Sequence, residues 1–133
     1  LVFTFLSQAK PNAKLVDAAR SYFADNGFDE THTGDILTKS GVSRGALYHH
    51  FATEKARFGA VFVAESESTI ARANRDLKAT VSPLEDLIQA CFRWLKAVQD
   101  PVSPAILVDQ GPKVLGWQRA RDLESRSSLD LMR

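Results

Sequence analysis

This sequence predicts an all-helical fold, and three observations carry that prediction. Apolar residues recur at helical spacing, with Leu15, Ala18, Ala19, Tyr22 and Phe23 at i, i+3, i+4, i+7 and i+8. Glycine and proline punctuate the chain between such stripes, at Gly27, Gly41, Ser82-Pro83, Asp100-Pro101 and Gly111-Pro112. No stretch of β-branched and aromatic residues alternates long enough to read as a strand.

The elements follow in order. Leu1-Val2-Phe3-Thr4-Phe5-Leu6 is apolar without a basic start or a small-residue cleavage site, so residues 1–10 read as an N-terminal arm. The first helix begins near Pro11-Asn12 and stops at Gly27. A second starts among Thr31, His32 and Thr33 and ends at Gly41. Its cap is imperfect, because the residue three before Asp35 is His32 and not the Ser or Thr of a capping box. The third runs from about Ser43 to His50: Gly41 can take the left-handed backbone that ends one helix, and Ser43 can cap the next. Together these helices can bury Leu15, Tyr22, Phe23, Phe28, Ile36, Leu37, Val42, Leu47 and Phe51.

A fourth helix begins near Thr53 and extends to about Lys78, with Phe58, Val61, Phe62 and Ile70 facing inward. Ser82-Pro83 opens a fifth, on which Leu84, Leu87, Ile88, Cys91, Trp94, Leu95 and Val98 make one stripe. Asp100 to Pro104 interrupts it. A short apolar helix follows over Ala105 to Asp109, and Gly111-Pro112 opens another at Lys113.

Composition sets the bounds. The 133 residues are 44% hydrophobic and 25% charged, ordinary values for a globular chain long enough to fold without disulfides or metals. A net charge of +1 supplies no general attraction for nucleic acid, so any such binding must rest on a local concentration of positive charge. The lone Cys91 cannot form an intramolecular disulfide, which fits a reducing cytoplasm. No apolar run reaches the length of a membrane span.

Chemistry concentrates in Gly41-Val42-Ser43-Arg44-Gly45-Ala46-Leu47-Tyr48-His49-His50-Phe51. Ala46, Leu47 and Phe51 can face a core while Arg44, Gly45, Tyr48 and His49 turn outward. A guanidinium, a point of close approach, a phenol and an imidazole suit a phosphate backbone and base edges. The competing reading is a solvated arginine, with Tyr48 and one histidine, His50 above all, packed beneath the domain. Metal binding by His49 and His50 is disfavoured, since adjacent helical residues diverge by about 100° and no further ligand lies at a suitable spacing. Residues 41–45 also match the G-x-S-x-G elbow of serine hydrolases. That elbow needs a buried strand before it, whereas Asp35 to Ser40 is polar and helical in character. No catalytic residue, metal or cofactor is assigned.

From about Leu15 to Phe62 the sequence resembles the TetR (tetracycline-repressor) family of bacterial regulators. The matching features are Leu15-Val16-Asp17-Ala18-Ala19 through Tyr22-Phe23-Ala24, Asn26-Gly27-Phe28, Asp35-Ile36-Leu37 and the Tyr48-His49-His50-Phe51 run. The resemblance implies a helix-turn-helix DNA-binding domain over residues 11–55 and a helical effector-binding and dimerisation domain over 56–133. It implies DNA contacts from Thr33, Ser43, Arg44, Gly45, Tyr48, His49, His50 and Lys55. Family members usually carry a lysine one residue before Lys55, where this chain has Glu54. Phe62, Cys91, Trp94, Leu107 and Trp117 could line a cavity for an apolar or aromatic effector, the alternative being plain core packing.

By the same resemblance the chain would act as a homodimer on a near-palindromic operator in double-stranded DNA, as a repressor released by a small molecule. Ile106 to Trp117 is similar to a run that precedes the dimer-forming helices in some such regulators. The final pair of long helices is not found, so the second domain is expected to be partial. The rival is a helical ligand-binding or interaction module with lost or weakened DNA binding, a reading that Glu54 and the weakly basic head keep open.

Overall fold

The computed structural model describes residues 13–131, and all regular structure among them is helical. Helix α1 spans Ala13–Asn26 and buries Leu15, Val16, Ala18, Ala19 and Phe23, one continuous stripe. Gly27 follows with φ of +84°, and its N–H donates to the Phe23 carbonyl at 3.0 Å. Only a residue without a Cβ adopts that backbone cheaply, so the helix ends there. Helix α2 is Thr33–Ser40, and His32 at its N-cap makes no side-chain capping bond. Gly41, with φ of +67°, repeats the left-handed stop.

Helix α3 is Arg44–His50, capped by Ser43, whose hydroxyl oxygen accepts the Ala46 N–H at 3.2 Å. Helix α4 is Glu54–Asn74, and Thr53 caps it by accepting the Ala56 N–H at 3.0 Å. The chain divides into two compact units between Val61 and Phe62, within α4 and six residues beyond the boundary expected from the sequence.

In the first unit Leu15, Ile36, Leu47, Phe51 and Phe58 are buried, while Tyr22, Phe28, Leu37 and Val42 are only half-buried. Rings of Phe23, Phe28 and Phe58 meet pairwise at centroid distances of 5.2 to 5.8 Å, two of the three pairs edge-to-face. Full burial of a ring of this size stabilises by about 1.5–3 kcal/mol, and each such pair adds about 0.5–1.5 kcal/mol. This cluster sets the platform from which α2 and α3 project.

The second unit holds the rest of α4, then α5 (Pro83–Ala97), α6 (Val102–Pro104), a π-helical segment (Ala105–Gln110), α7 (Gly111–Leu115) and α8 (Trp117–Leu131). Helix α4 stops at Asn74, short of Lys78. Asp76 takes a left-handed φ of 60°, and the Arg93 guanidinium donates to the carbonyls of Arg75 and Asp76. Helix formation resumes at Val102 and continues through the π-helical turns into α7, where the sequence predicts a short helix from Ala105 and a fresh start at Lys113.

Phe62 and Ile106 are fully buried here, and Gly111 lies so close to Phe62 that a Cβ on it would overlap the ring's Cε2. The stripe on α5 differs from expectation. Leu84, Leu87, Ile88, Cys91, Trp94 and Leu95 are exposed, because no element among the described residues covers that side of the helix.

A polar cluster replaces part of the apolar core. Glu65 is 1% exposed, and the Ser103 hydroxyl donates to its Oε1 at 2.5 Å. Arg72 donates through Nη2 to Ser103 at 2.7 Å, to Thr69 at 3.1 Å and to the Ala97 carbonyl at 3.3 Å, and that nitrogen lies 3.6 Å from Glu65. Buried charge is tolerable when its lone pairs and protons are taken up in this way.

Candidate nucleic-acid interface

The short helix α3 owes its position to one buried residue and two caps. Leu47 is fully buried, Ser43 caps the first turn, and the Phe51 N–H closes the last turn on the Leu47 carbonyl at 2.8 Å. Ala46 is half-buried, and the rest of the helix faces outward. Arg44, Gly45, Tyr48, His49 and His50 are all exposed, with the His49 and His50 rings 5.7 Å apart. His50 therefore does not pack beneath the domain.

A Cβ at Gly45 would meet nothing within 4 Å, so the fold itself has no need of a glycine there. What the missing side chain leaves is open ground between Arg44 and Tyr48 on the exposed face. Helix α2 is held below by Lys39, whose ammonium donates to the Ser21 hydroxyl at 2.7 Å and lies 5.1 Å from the Tyr22 ring centroid.

Thr33 opens α2 and Glu54 opens α4, and the two meet: the Thr33 hydroxyl donates to Glu54 Oε1 at 3.4 Å. Behind them Arg57 is 2% exposed and donates from Nη1 to the Thr33 oxygen at 3.2 Å. Burial lowers the Arg57 pKa, and the nearby carboxylate of Glu54 and phenol of Tyr48 oppose that shift. Lys55 is exposed and lies beside this cluster in sequence, without a described hydrogen bond or ion pair.

Arg57 was not legible from the sequence as a buried neighbour of Thr33 and Glu54. The signal available was its position three residues after Glu54, which puts both on one side of α4.

The second unit contains a cavity of about 470 Å³. Ile70, Trp94, Val98, Leu107 and Val108 supply its apolar wall, and Ser66, Ser103, Glu124 and Ser128 supply polar groups. Of the residues expected to line such a cavity, Trp94 and Leu107 do so. Phe62 lies buried against Gly111, and Cys91 and Trp117 are exposed, so none of these three is among the lining residues. Glu124, in the cavity wall, has its pKa raised by burial, with Arg121 opposing. No helix among the described residues is long and apolar enough to cross a membrane.

Residues 15–57 match the family model described as bacterial regulatory proteins, tetR family. Among curated proteins, the HTH-type transcriptional regulator UidR of Escherichia coli (strain K12) is 33% identical over 67 residues, covering 50% of this chain and 34% of its own. The chain thus spans about a third of the length of that relative. Among solved structures, a chain from Shewanella sp. PV-4 assigned to the tetR family superposes with a TM-score of 0.73 at 24% identity, covering 90% of this chain and 64% of that one. A gamma-butyrolactone receptor, described as ArpA-like, matches with a TM-score of 0.55 at 26% identity, covering 93% and 65%.

Proposed function

We propose that this chain, whose residues 15–57 match the tetR family model, is a member of that family of bacterial regulatory proteins and binds double-stranded DNA through α3 as part of a cytoplasmic transcriptional repressor. The observation that carries this is the exposed row of Arg44, Gly45, Tyr48 and His49 on a helix whose inward residue Leu47 is fully buried. Arg44, at the front of the helix, reads a base edge or phosphate. Tyr48, His49 and His50 clamp the sugar-phosphate backbone, and Thr33, Ser43 and Lys55 complete the contact set.

One helix of seven residues covers only part of a major groove. Two copies on a near-palindromic operator, with half-sites about 34–36 Å apart, gain both affinity and register, so the working form is a homodimer. A small apolar molecule in the cavity beside Trp94 and Leu107 shifts the population toward a form that releases DNA. The similarity to a gamma-butyrolactone receptor supports this ligand-responsive reading. The function is binding alone, with no bond made or broken.

Selection of bound sequences from random duplex DNA tests the proposal, followed by titration of the selected duplex with wild type and Arg44→Ala. The substitution is expected to weaken binding by about 1–3 kcal/mol with helical content unchanged. Equal affinity for the two proteins would remove α3 from the interface.

A further inference from the structure

We infer that Arg57 and Thr33 form a binding site for a DNA phosphodiester, in which the Glu54 carboxylate stands in for the phosphate in the free protein. The inference rests on the DNA-binding reading above and adds to it one cationic residue and one internal competitor.

Arg57 is the starting observation. Its side chain is buried, yet Nε and Nη2 have no hydrogen-bond partner among the described residues. A guanidinium taken out of water with two donors unused is a costly way to fill space, and an apolar side chain of similar length would pack there more cheaply. A charged donor set retained under such conditions points to an acceptor that arrives from outside.

The surroundings identify that acceptor as an anion. Arg57 Nη1 donates to the Thr33 oxygen, and the single Thr33 proton goes on to Glu54 Oε1. The chain from guanidinium to hydroxyl to carboxylate therefore already ends on an anionic oxygen. That hydroxyl belongs to the first residue of α2, an eight-residue helix whose opening amides and dipole favour negative charge. Tyr48, close enough to act electrostatically on Arg57, is half exposed on the face assigned to DNA.

Glu54 itself is exposed, and its bond from Thr33 is long at 3.4 Å, so an incoming phosphate oxygen can displace it at little cost. Glu54 and Arg57 cancel in the free protein. Once the carboxylate swings away, the site presents one net positive charge and the unused donors of Arg57. The head of α4 thus keeps a cation for the backbone, three residues along from where the family resemblance implies a lysine.

The test compares wild type, Glu54→Gln, Arg57→Met and the double variant. Fluorescence anisotropy follows binding to a random-sequence duplex and to the selected duplex between about 50 and 200 mM salt, with thermal melting in parallel. E54Q is expected to bind both duplexes about three- to tenfold tighter, with a salt slope steeper by about 0.9 per head. R57M is expected to bind about tenfold weaker while melting at the same temperature or higher, a divergence that a purely structural role would not produce. The E54Q gain should vanish in the R57M background. Where Met impairs folding, Arg57→Lys keeps the charge without the fork and should retain only part of that gain. An E54Q gain of equal size in both backgrounds overturns the inference alone. A wild type that binds neither duplex overturns the DNA-binding reading with it.

Discussion

Removing the Ser103 hydroxyl should expose how much the second unit depends on its buried polar cluster. Ser103 is fully buried, and its one proton is committed to Glu65 Oε1, while its lone pairs receive Arg72 at 2.7 Å and face Thr69 at 3.2 Å. Ser103→Ala removes this hydrogen bond from a carboxylate that is 1% exposed, and it takes from Arg72 Nη2 its shortest acceptor. Loss of a hydrogen bond to a charged group costs about 1.5–3 kcal/mol, with buried sites toward the upper end. The small cavity left by one oxygen adds little. A loss of about 2–3 kcal/mol is a large share of the roughly 5–15 kcal/mol that stabilises a domain. It corresponds to a fall in midpoint of roughly 7–11 °C for a chain of this size. Urea and thermal unfolding followed by circular dichroism measure it. In a Glu65→Gln background, where the acceptor is neutral, the same substitution should cost at least about 1 kcal/mol less. A loss below about 0.5 kcal/mol, or an equal loss in both backgrounds, would refute the view that Ser103 matters through the carboxylate.

Two glycines separate packing from function. Gly111→Ala places a methyl against the Phe62 ring and should destabilise by about 1–3 kcal/mol in melting experiments; an unchanged midpoint would mean the ring moves aside freely. Gly45→Ala meets only open space and, inside a helix, should raise stability by about 0.5–1 kcal/mol. The same methyl should nevertheless weaken duplex binding in anisotropy titrations, because it occupies the ground where DNA approaches; undiminished binding would place the duplex elsewhere.

The first unit was readable because local signals agreed with one another. A stripe at helical spacing, two glycines in left-handed turns and a capping serine each specify the same three helices. The candidate interface was readable to the extent that exposure follows from Leu47 being the inward residue of α3. Arg57 was missed because an arginine is expected at the surface, and its burial comes from contacts with α2 that no local pattern encodes. Glu65 and Thr69 were missed for a related reason: Glu65 to Thr69 reads as a polar, solvated stretch. Their positions nonetheless continue the inward row of Phe58, Val61 and Phe62 at helical spacing, so periodicity could have placed them where polarity could not.

The α5 stripe shows the opposite limit. Amphipathic spacing says that a face needs cover, but not which element supplies it. Trp94 and Leu107 line a cavity, whereas Phe62, Cys91 and Trp117 share their character without sharing their direction.

The π-helical segment gives the second unit an unusual tolerance in chain length. Each hydrogen-bonded ring over Ala105–Gln110 encloses one residue more than an α-helical ring would. Loss of a single residue from this stretch would let the backbone tighten to the ordinary α pitch at no expense in hydrogen bonds. The looser winding given up offsets the roughly 100° that one α-helical residue contributes, so Gly111 would keep its seat against Phe62. The same deletion inside the regular helix α5 has no slack to draw on and turns everything after it by about 100°. A one-residue deletion at Val108 or Asp109, both of which are exposed, should therefore be far better tolerated than one within α5.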